Sequence, residues 1–449
     1  MILKSYRTPT TWISVIILMC IYKSASAQEH YTLFDCIRIA TTQSSQVKQA
    51  ETDAAIAEVA RKGSGNAYIP SLSLSNQHNL STGRVLDPTT YQFVTNRTVY
   101  DMSASIGGSM TLFSGFERHT TVEKSKLSLQ SALLETEKTK NDLALNVTAL
   151  FLSIVLDKES IAVCESKIAM LQEQEKVIRK KVEYRAATPG DLLNIQADIT
   201  AARVEHSSAT QNLNLDKVAM CELLEIDDWQ NFDITTEDED YEEISPRLWS
   251  ESDVVSSAYN LPQIKSSELA IDIARRDVSI ASASFYPTLK LNAGYGSTFS
   301  NARMKTEGEE YNFSDKMRDN MSSYVTLSLS IPILSAISVS NTVKQRKLAC
   351  TRAEYELTQA KLSLDKEVKQ AIVNADTAYE KYSLLETDVD KCAEALRQTE
   401  EKYAAGAATY YDYQTAVGNL YQAQSQRLQS KYEYIFRTKI IEFYWHNGI

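Results

Sequence analysis

Two periodicities alternate along this chain. Leu143, Val147, Leu150, Ile154, Asp157, Ile161, Cys164, Ile168 and Leu171 step by four and three, and all but Asp157 are apolar. Val368, Ile372, Ala375, Tyr379 and Tyr382 do the same. This is the spacing of helices that pack along a continuous seam. Elsewhere the period drops to two. Met102, Ala104, Ile106, Gly108, Met110 and Leu112 alternate with Ser103, Ser105, Gly107, Ser109 and Thr111. Val325, Leu327, Leu329, Ile331 and Ile333 alternate with Thr326, Ser328, Ser330 and Pro332. Leu289, Leu291, Ala293 and Tyr295 alternate with Lys290, Asn292 and Gly294, and Leu72 and Leu74 begin a weaker version. These segments read as strands with one apolar and one polar face.

Glycine and proline set the lengths. Phe116–Thr188 contains neither residue, nor does Ile333–Ala405; each stretch is 73 residues long, and the second starts 217 positions after the first. A helix of ~65–70 residues at ~1.5 Å per residue is about 100 Å long, deeper than any ordinary globular core. Charges on most turns, including Glu175 and Arg179 at the favourable i,i+4 spacing, place these helices in water.

The chain is written twice. Val47-Lys48-Gln49-Ala50-Glu51 recurs as Ile264-Lys265-Ser266-Ser267-Glu268, and Tyr68-Ile69-Pro70-Ser71-Leu72-Ser73-Leu74 as Phe285-Tyr286-Pro287-Thr288-Leu289-Lys290-Leu291. Arg185-Ala186-Ala187-Thr188-Pro189-Gly190-Asp191 recurs as Gly406-Ala407-Ala408-Thr409-Tyr410-Tyr411-Asp412. Such self-similarity defines the architecture before any other feature does. The expected organisation is a leader at 1–27, a first repeat at 28–226, an acidic connector at 227–251 and a second repeat at 252–449. In the first repeat, strands fall at about 70–82 and 99–113, and helices at about 33–67, 116–185 and 190–225. In the second, strands fall at about 287–300 and 321–334, and helices at about 252–285, 336–405 and 410–445. The fold class is mainly α with transmembrane β, a duplicated helix–strand–strand–helix repeat giving four strands per chain.

Composition narrows the function. Of 449 residues, 47 are basic and 58 acidic, a formal charge of −11, which is a poor footprint for nucleic acid. Lys4 and Arg7, the apolar run Trp12–Tyr22 and Ala25-Ser26-Ala27 describe a secretory leader. Cleavage after Ala27 removes Lys4, Arg7 and Lys23 and no acid, which takes −11 to −14. Cys20 raises a lipoprotein alternative, but Met19 precedes it where a small residue is expected. Cys36, Cys164, Cys221, Cys350 and Cys392 are odd in number and far apart, so they form neither a disulfide framework nor a zinc pattern.

A strand of ~9–11 residues spans a bilayer when tilted. Tyr91, Tyr100, Tyr295, Phe299 and Tyr324 near the segment ends read as interfacial aromatics. An open four-stranded sheet cannot sit in lipid, because its edge N–H and C=O groups stay unpaired. Single-chain outer-membrane barrels start at about eight strands, so four per chain demands at least two chains, and three give twelve. A soluble amphipathic hairpin is the competing reading of each segment alone.

This arrangement resembles the TolC family of outer-membrane efflux and secretion channels, over about Tyr31–Tyr444. The residues that carry the resemblance are the helix-to-strand junctions at Pro70 and Pro287, the strand-to-helix exits Met110-Thr111-Leu112-Phe113-Ser114-Gly115 and Ile331-Pro332-Ile333-Leu334-Ser335, and the helical tip Tyr403–Asp412. It implies a homotrimer in outer-membrane lipid. Its twelve strands close one barrel, and its helices continue as a tunnel across the periplasm. The far end of that tunnel docks on a periplasmic adaptor (a membrane fusion protein) and an inner-membrane pump.

The resemblance also assigns the tips. The family's inner turn carries a Gly and, six residues on, an Asp that projects into the pore entrance; Gly406 and Asp412 match. A second acidic ring three residues further falls on Thr415. A Tyr–Asp latch that holds the closed state maps to Tyr403 and Asp191. The latch Arg falls on Ala408 and the outer-turn Gly on Arg185, so the latch is thinner here. Helix N-cap or first-turn roles are the plain alternatives for Asp191 and Asp412.

Eleven acids between Asp227 and Asp253 form the connector, without the spacing and glycine of an EF-hand loop. The loops Ser81–Thr98 and Asn301–Asn320 are expected to face outside the cell. Gly83, Asp87-Pro88 and Gly308 suit their turns. No catalytic, cofactor or metal site is expected: the five histidines are scattered, and no HExxH, Walker A or Gly-x-Ser-x-Gly context exists. Ser45-Gln46-Val47-Lys48 fits SxxK but lies on a predicted helix without partner motifs. A periplasmic adaptor and a coiled-coil surface adhesin remain as non-enzyme alternatives. No residue reads the cargo.

Overall fold

The computed structural model describes residues 30–86, 91–236, 244–301, 312–333 and 336–446. The leader with Cys20, the Asp87-Pro88 turn, the acidic run 237–243, the loop around Gly308 and the Leu334-Ser335 junction lie outside the described residues. In chain order the elements are β1 (His30–Tyr31), α1 (Leu33–Gln43), α2 (Ser45–Asn66), β2 (Ser71–Leu86), β3 (Phe93–Ser114), α3 (Glu117–Glu183), α4 (Pro189–Leu224) and β4 (Asp233–Ile234). There follow α5 (Glu251–Ala258), α6 (Pro262–Ala283), β5 (Thr288–Ser300), α7 (Phe313–Asp319), β6 (Ser322–Ser330), α8 (Ala336–Ala404) and α9 (Tyr410–His446).

The two long helices run 67 and 69 residues because nothing inside them breaks the i→i−4 ladder. Their neighbours begin on specific caps. Thr32 accepts a hydrogen bond from the N–H of Asp35 to start α1. Thr188 and Asp191 form a reciprocal capping box, with Pro189 at the first helical position of α4. That helix ends on Glu225 in the left-handed region, and the Glu225 carboxylate accepts from the N–H of Ser45 at the start of α2.

The chain is built as two compact units. The first comprises Met1–Glu51, Glu135–Lys265 and Ala360–Ile449. Its larger core gathers Leu33, Cys36 and Ala40 of α1, Leu143, Val147, Phe151 and Ile154 of α3, Met220, Cys221 and Leu224 of α4, and Tyr432 of α9. The two-residue strands β1 and β4 pair in parallel beside it, and Tyr31 stacks on Phe232. The five cysteines of the described chain are free, with Cys36 and Cys221 buried. Burial pushes the Cys36 thiol up to about 12 and the Cys221 thiol up to about 11, so both behave as small apolar side chains. The seam position Asp157 carries a buried oxygen, Oδ2, without a hydrogen-bond partner. Burial first, and the charge of Asp216 second, push that carboxyl up to about 6.

The second unit comprises Thr52–Leu134 and Ser266–Gln359. It holds an antiparallel sheet in the order β2-β3-β5-β6, so each repeat's strand pair is joined to the other's by β3 against β5. Strands β2 and β6 are its two edges. Strand β6 ends at Ser330, short of the expected 334, where Pro332 has no N–H to continue a ladder. Strand β3 begins at Phe93, earlier than the alternation predicts. Ion pairs tie the helices rooted in the sheet: Lys124 to Asp277 at 2.6 Å and Arg276 to Glu123 at 2.8 Å. Gly115 makes the strand-to-helix exit. Its φ is +62°, and a Cβ there would lie 2.6 Å from Ala283 O.

Candidate functional site

The register turns four separate alternations into two continuous faces. One face reads Leu72–Gly108–Ala293–Val325, then Leu74–Ile106–Tyr295–Ser323, then Met110–Leu291–Leu327. The other reads Ser71–Ser109–Asn292–Thr326, Ser73–Gly107–Gly294–Tyr324 and Ser75–Ser105–Gly296–Ser322. On the apolar face of the β6 edge, Val325, Leu327 and Leu329 are 75%, 61% and 63% exposed. No helix among the described residues is long and apolar enough to cross a membrane. At the far end of the apolar face, His78 lies 2.6 Å from the Tyr100 hydroxyl, and Phe299 packs 6.1 Å from the Tyr100 ring.

Tyr324 departs from its expected role as an interfacial aromatic. It stands in a polar row and covers Gly294, where a Cβ would meet its ring at 2.5 Å. A glycine in a strand marks this kind of close approach. Pro70 and Pro287 each stand immediately before a strand, β2 and β5 respectively, the position at which a missing donor costs no ladder bond.

The tips are built by one motif used twice. In the first turn Arg185 has φ +58°, Arg185 N–H donates to Val182 O, and Ala186 N–H donates to Lys181 O at 2.7 Å. In the second, Gly406 has φ +74°, Gly406 N–H donates to Tyr403 O, and Ala407 N–H donates to Lys402 O at 2.8 Å. Three residues later the next helix is capped. Asp191 accepts from Thr188 N–H at 2.9 Å, and Asp412 accepts from Thr409 N–H at 2.9 Å. Each Asp N–H returns a bond of 3.2 Å to the threonine hydroxyl oxygen. Both acids therefore fill the cap role within one chain. The Thr409 hydroxyl and N–H hold Asp412 below the usual carboxylate range.

Tyr403 stacks on Tyr413 with ring centroids 5.6 Å apart, and the Lys181 ammonium lies 4.5 Å from its ring centre. Burial, and then the Asp191 charge, raise the pKa of the Tyr403 hydroxyl. Asp191 is thus close enough to be felt, yet its carboxylate is engaged by Thr188.

The hydrogen bonds across the tip are made elsewhere. Tyr410 donates to Asp198 Oδ2 at 2.6 Å, and the Gln414 amide donates to Asp198 Oδ1 at 2.5 Å. This clamp joins α4 to α9 over a core of Ile178, Ile195, Ile199, Leu396 and Val417. Sequence reasoning missed Asp198. It lies seven residues, or about two helical turns, beyond Asp191 and so shares its face, but nothing local marks it as a partner of Tyr410.

This geometry and this sequence are similar to those of known proteins. Residues 255–436 match the family model described as Outer membrane efflux protein. Outer membrane protein TolC of Vibrio cholerae serotype O1 is 22% identical over 397 residues, which cover 86% of this chain and 83% of that protein. Alkaline protease secretion protein AprF of Pseudomonas aeruginosa is 22% identical over 392 residues, covering 84% and 76%. The solved structure of CusC superimposes with a TM-score of 0.79 at 15% identity, over 93% of this chain and 92% of that one. The chain shares the fold of that solved channel protein. Its resemblance to the TolC family, read from the duplicated motifs, holds in sequence and in structure, and supports an outer-membrane efflux channel.

Proposed function

We propose that this chain forms the outer-membrane channel of a tripartite efflux or type I secretion system, a passive conduit and not an enzyme. Three copies close a twelve-stranded barrel, and their helices continue it as a tunnel through the periplasm. An adaptor and an inner-membrane pump open the tunnel at its tip. The observation that carries this reading is the four-stranded sheet, whose faces are continuous across all strands and whose two edges are free. In lipid those edges need partners, and a second copy supplies the complementary edge. An adaptor or adhesin has no use for such a sheet.

The helices support self-association independently. On α8, Ile337, Leu348, Tyr355, Leu362, Val373 and Leu384 are all more than half exposed. Their spacings of 7 and 11 keep them within about 20° of one line. The buried seam of the same helix, including Leu364, Val368, Ala371 and Ala375, lies on the opposite side. Leu193, Val204 and Leu215 form a comparable exposed stripe on α4. A stave with apolar contacts on two sides suits a closed ring of helices.

At the tip, Asp412 forms the constriction ring. The closed state is held by the tyrosine cluster that includes Tyr403 beside Asp191, with the Asp198 clamp carrying its hydrogen bonds.

The test is purification in mild detergent, mass measurement and insertion into planar bilayers. The expected result is a trimer with discrete conductance steps, and Asp412→Asn lowers its preference for cations. A monomer that stays in solution without detergent and conducts nothing would overturn the proposal.

A further inference from the structure

Charge is scarce on the sheet. In the four-stranded part, every polar-face position from Asp101 to Thr111 and its partners is Ser, Thr, Gly, Asn, Gln or Tyr, apart from two. Asp101 stands in the row Asn79–Asp101–Ser300, at the end away from the long helices, and accepts from the Asn79 amide at 2.9 Å; in the same row Lys316 of α7 donates to Ser300 O at 2.9 Å. Lys290 stands in the row Thr111–Lys290–Ser328, at the helix-bearing end, with an exposed side chain. Arg118 donates to Thr111 O at 2.7 Å, so a second cation stands at that end. On the opposite face the strand positions of the same rows hold no acid, lysine or arginine, and the Lys316 ammonium of α7 lies 5.1 Å from the Phe299 ring centre.

We propose that Lys290 and Asp101 are the charge-selecting residues of the barrel lumen, a cationic ring at its helix-bearing end and an anionic ring at its far end. This rests on the barrel reading above, in which the polar face lines the lumen. Asp101 and Thr111, the partner of Lys290, are ten positions apart on one strand. That is about 34 Å at ~3.4 Å per residue, several times the ~10 Å Debye length at 0.1 M salt. The two rings therefore act separately. Hydroxyl and amide neighbours neither neutralise the ammonium nor compete with it. Lys290 thus acts on anionic solutes such as carboxylates and phosphates, with the sign opposite to that of the acidic tip. The channel is bipolar along its length, and its net selectivity is a balance that single residues shift.

The full-length protein in planar bilayers under a salt gradient tests this through the reversal potential. Lys290→Glu should raise the cation-over-anion permeability ratio about two- to threefold at 0.1 M salt, and Lys290→Gln about half as far on a logarithmic scale. Asp101→Asn should move it the other way, and Lys290→Arg should keep the wild-type value. All shifts should collapse at 1 M salt, where the Debye length is ~3 Å. If Lys290→Glu fails to assemble, Lys290→Gln, which removes charge at similar length, carries the test. Reversal potentials unchanged in Lys290→Gln and Asp101→Asn channels of normal conductance would overturn the inference. A wild-type protein that does not conduct would instead overturn the barrel reading.

Discussion

The two tip turns share a backbone and differ in what they reach for. Each ends its long helix on a left-handed residue and restarts on a threonine–aspartate box, at Thr188 and Asp191 in one and at Thr409 and Asp412 in the other. Beyond the box they diverge. The first hairpin carries the acceptor Asp198, whereas the position 221 residues on is Asn419. The second hairpin carries the donor Tyr410, whereas its counterpart in the first is Pro189. The turn is the same in both hairpins, and the residues beyond it differ so that one hairpin offers the acceptor and the other the donor. Turn geometry and tip cohesion are therefore separable, and each can be removed without the other.

The largest effect is expected at the clamp. Asp198→Ala leaves the Tyr410 hydroxyl and the Gln414 amide without their acceptor, and in the proposed channel this weakens the closed tip by about 2–3 kcal/mol. At ~1.4 kcal/mol per tenfold, the open-to-closed ratio rises well over tenfold in single-channel recordings. Tyr410→Phe should give about half that free-energy change and Tyr403→Phe less, because the Asp191 carboxylate is engaged by its own cap. A larger response to Tyr403→Phe would place the latch at Tyr403 and Asp191 instead.

A middle-sized effect distinguishes the hairpin seams. The first seam contains Asp157, while the second buries Ala371, Ala375 and Ala378. With the Asp157 carboxyl pushed up to about 6, the folded protein holds a proton that the unfolded chain, with an ordinary carboxyl of about 3.8, has released. Stability therefore falls as pH rises from about 4 through 6. Asp157→Asn should remove that penalty and add about 1 kcal/mol at pH 7.5, discounted for partial solvent screening, with no gain at pH 4. Denaturant melts at the two pH values check this; equal gains at both would remove Asp157 as the cause.

The smallest effect compares the left-handed residues. Gly406→Ala should cost about 1 kcal/mol, whereas Arg185→Gly should gain about 0.5–1 kcal/mol, since only glycine is unstrained at positive φ. Hydrogen exchange of amides in each turn reads both, and changes of the same sign would mean that the turns are not equivalent.

Some of this was present in the residues themselves. Helix lengths followed from two stretches without glycine or proline, because propagation of a helix needs only local bonds. The turns followed from Thr and Asp three apart, and the strand faces from a period of two. Even Gly115 was visible as an exit, though not its approach to Ala283.

Only the tertiary structure aligned the strands. Pairing of β3 with β5 joins segments some two hundred residues apart. A shift of one residue in that register would have put the polar side chains of β5 and β6 on the apolar face of β2 and β3, and no local signal sets it. The same holds for Tyr324 folding over Gly294, for Tyr410 finding Asp198, and for Lys290 and Asp101 standing at opposite ends of one polar face. Caps and periods are decided within a few residues, where the atoms involved are already neighbours. Faces and clamps are decided by which distant segments the fold brings together.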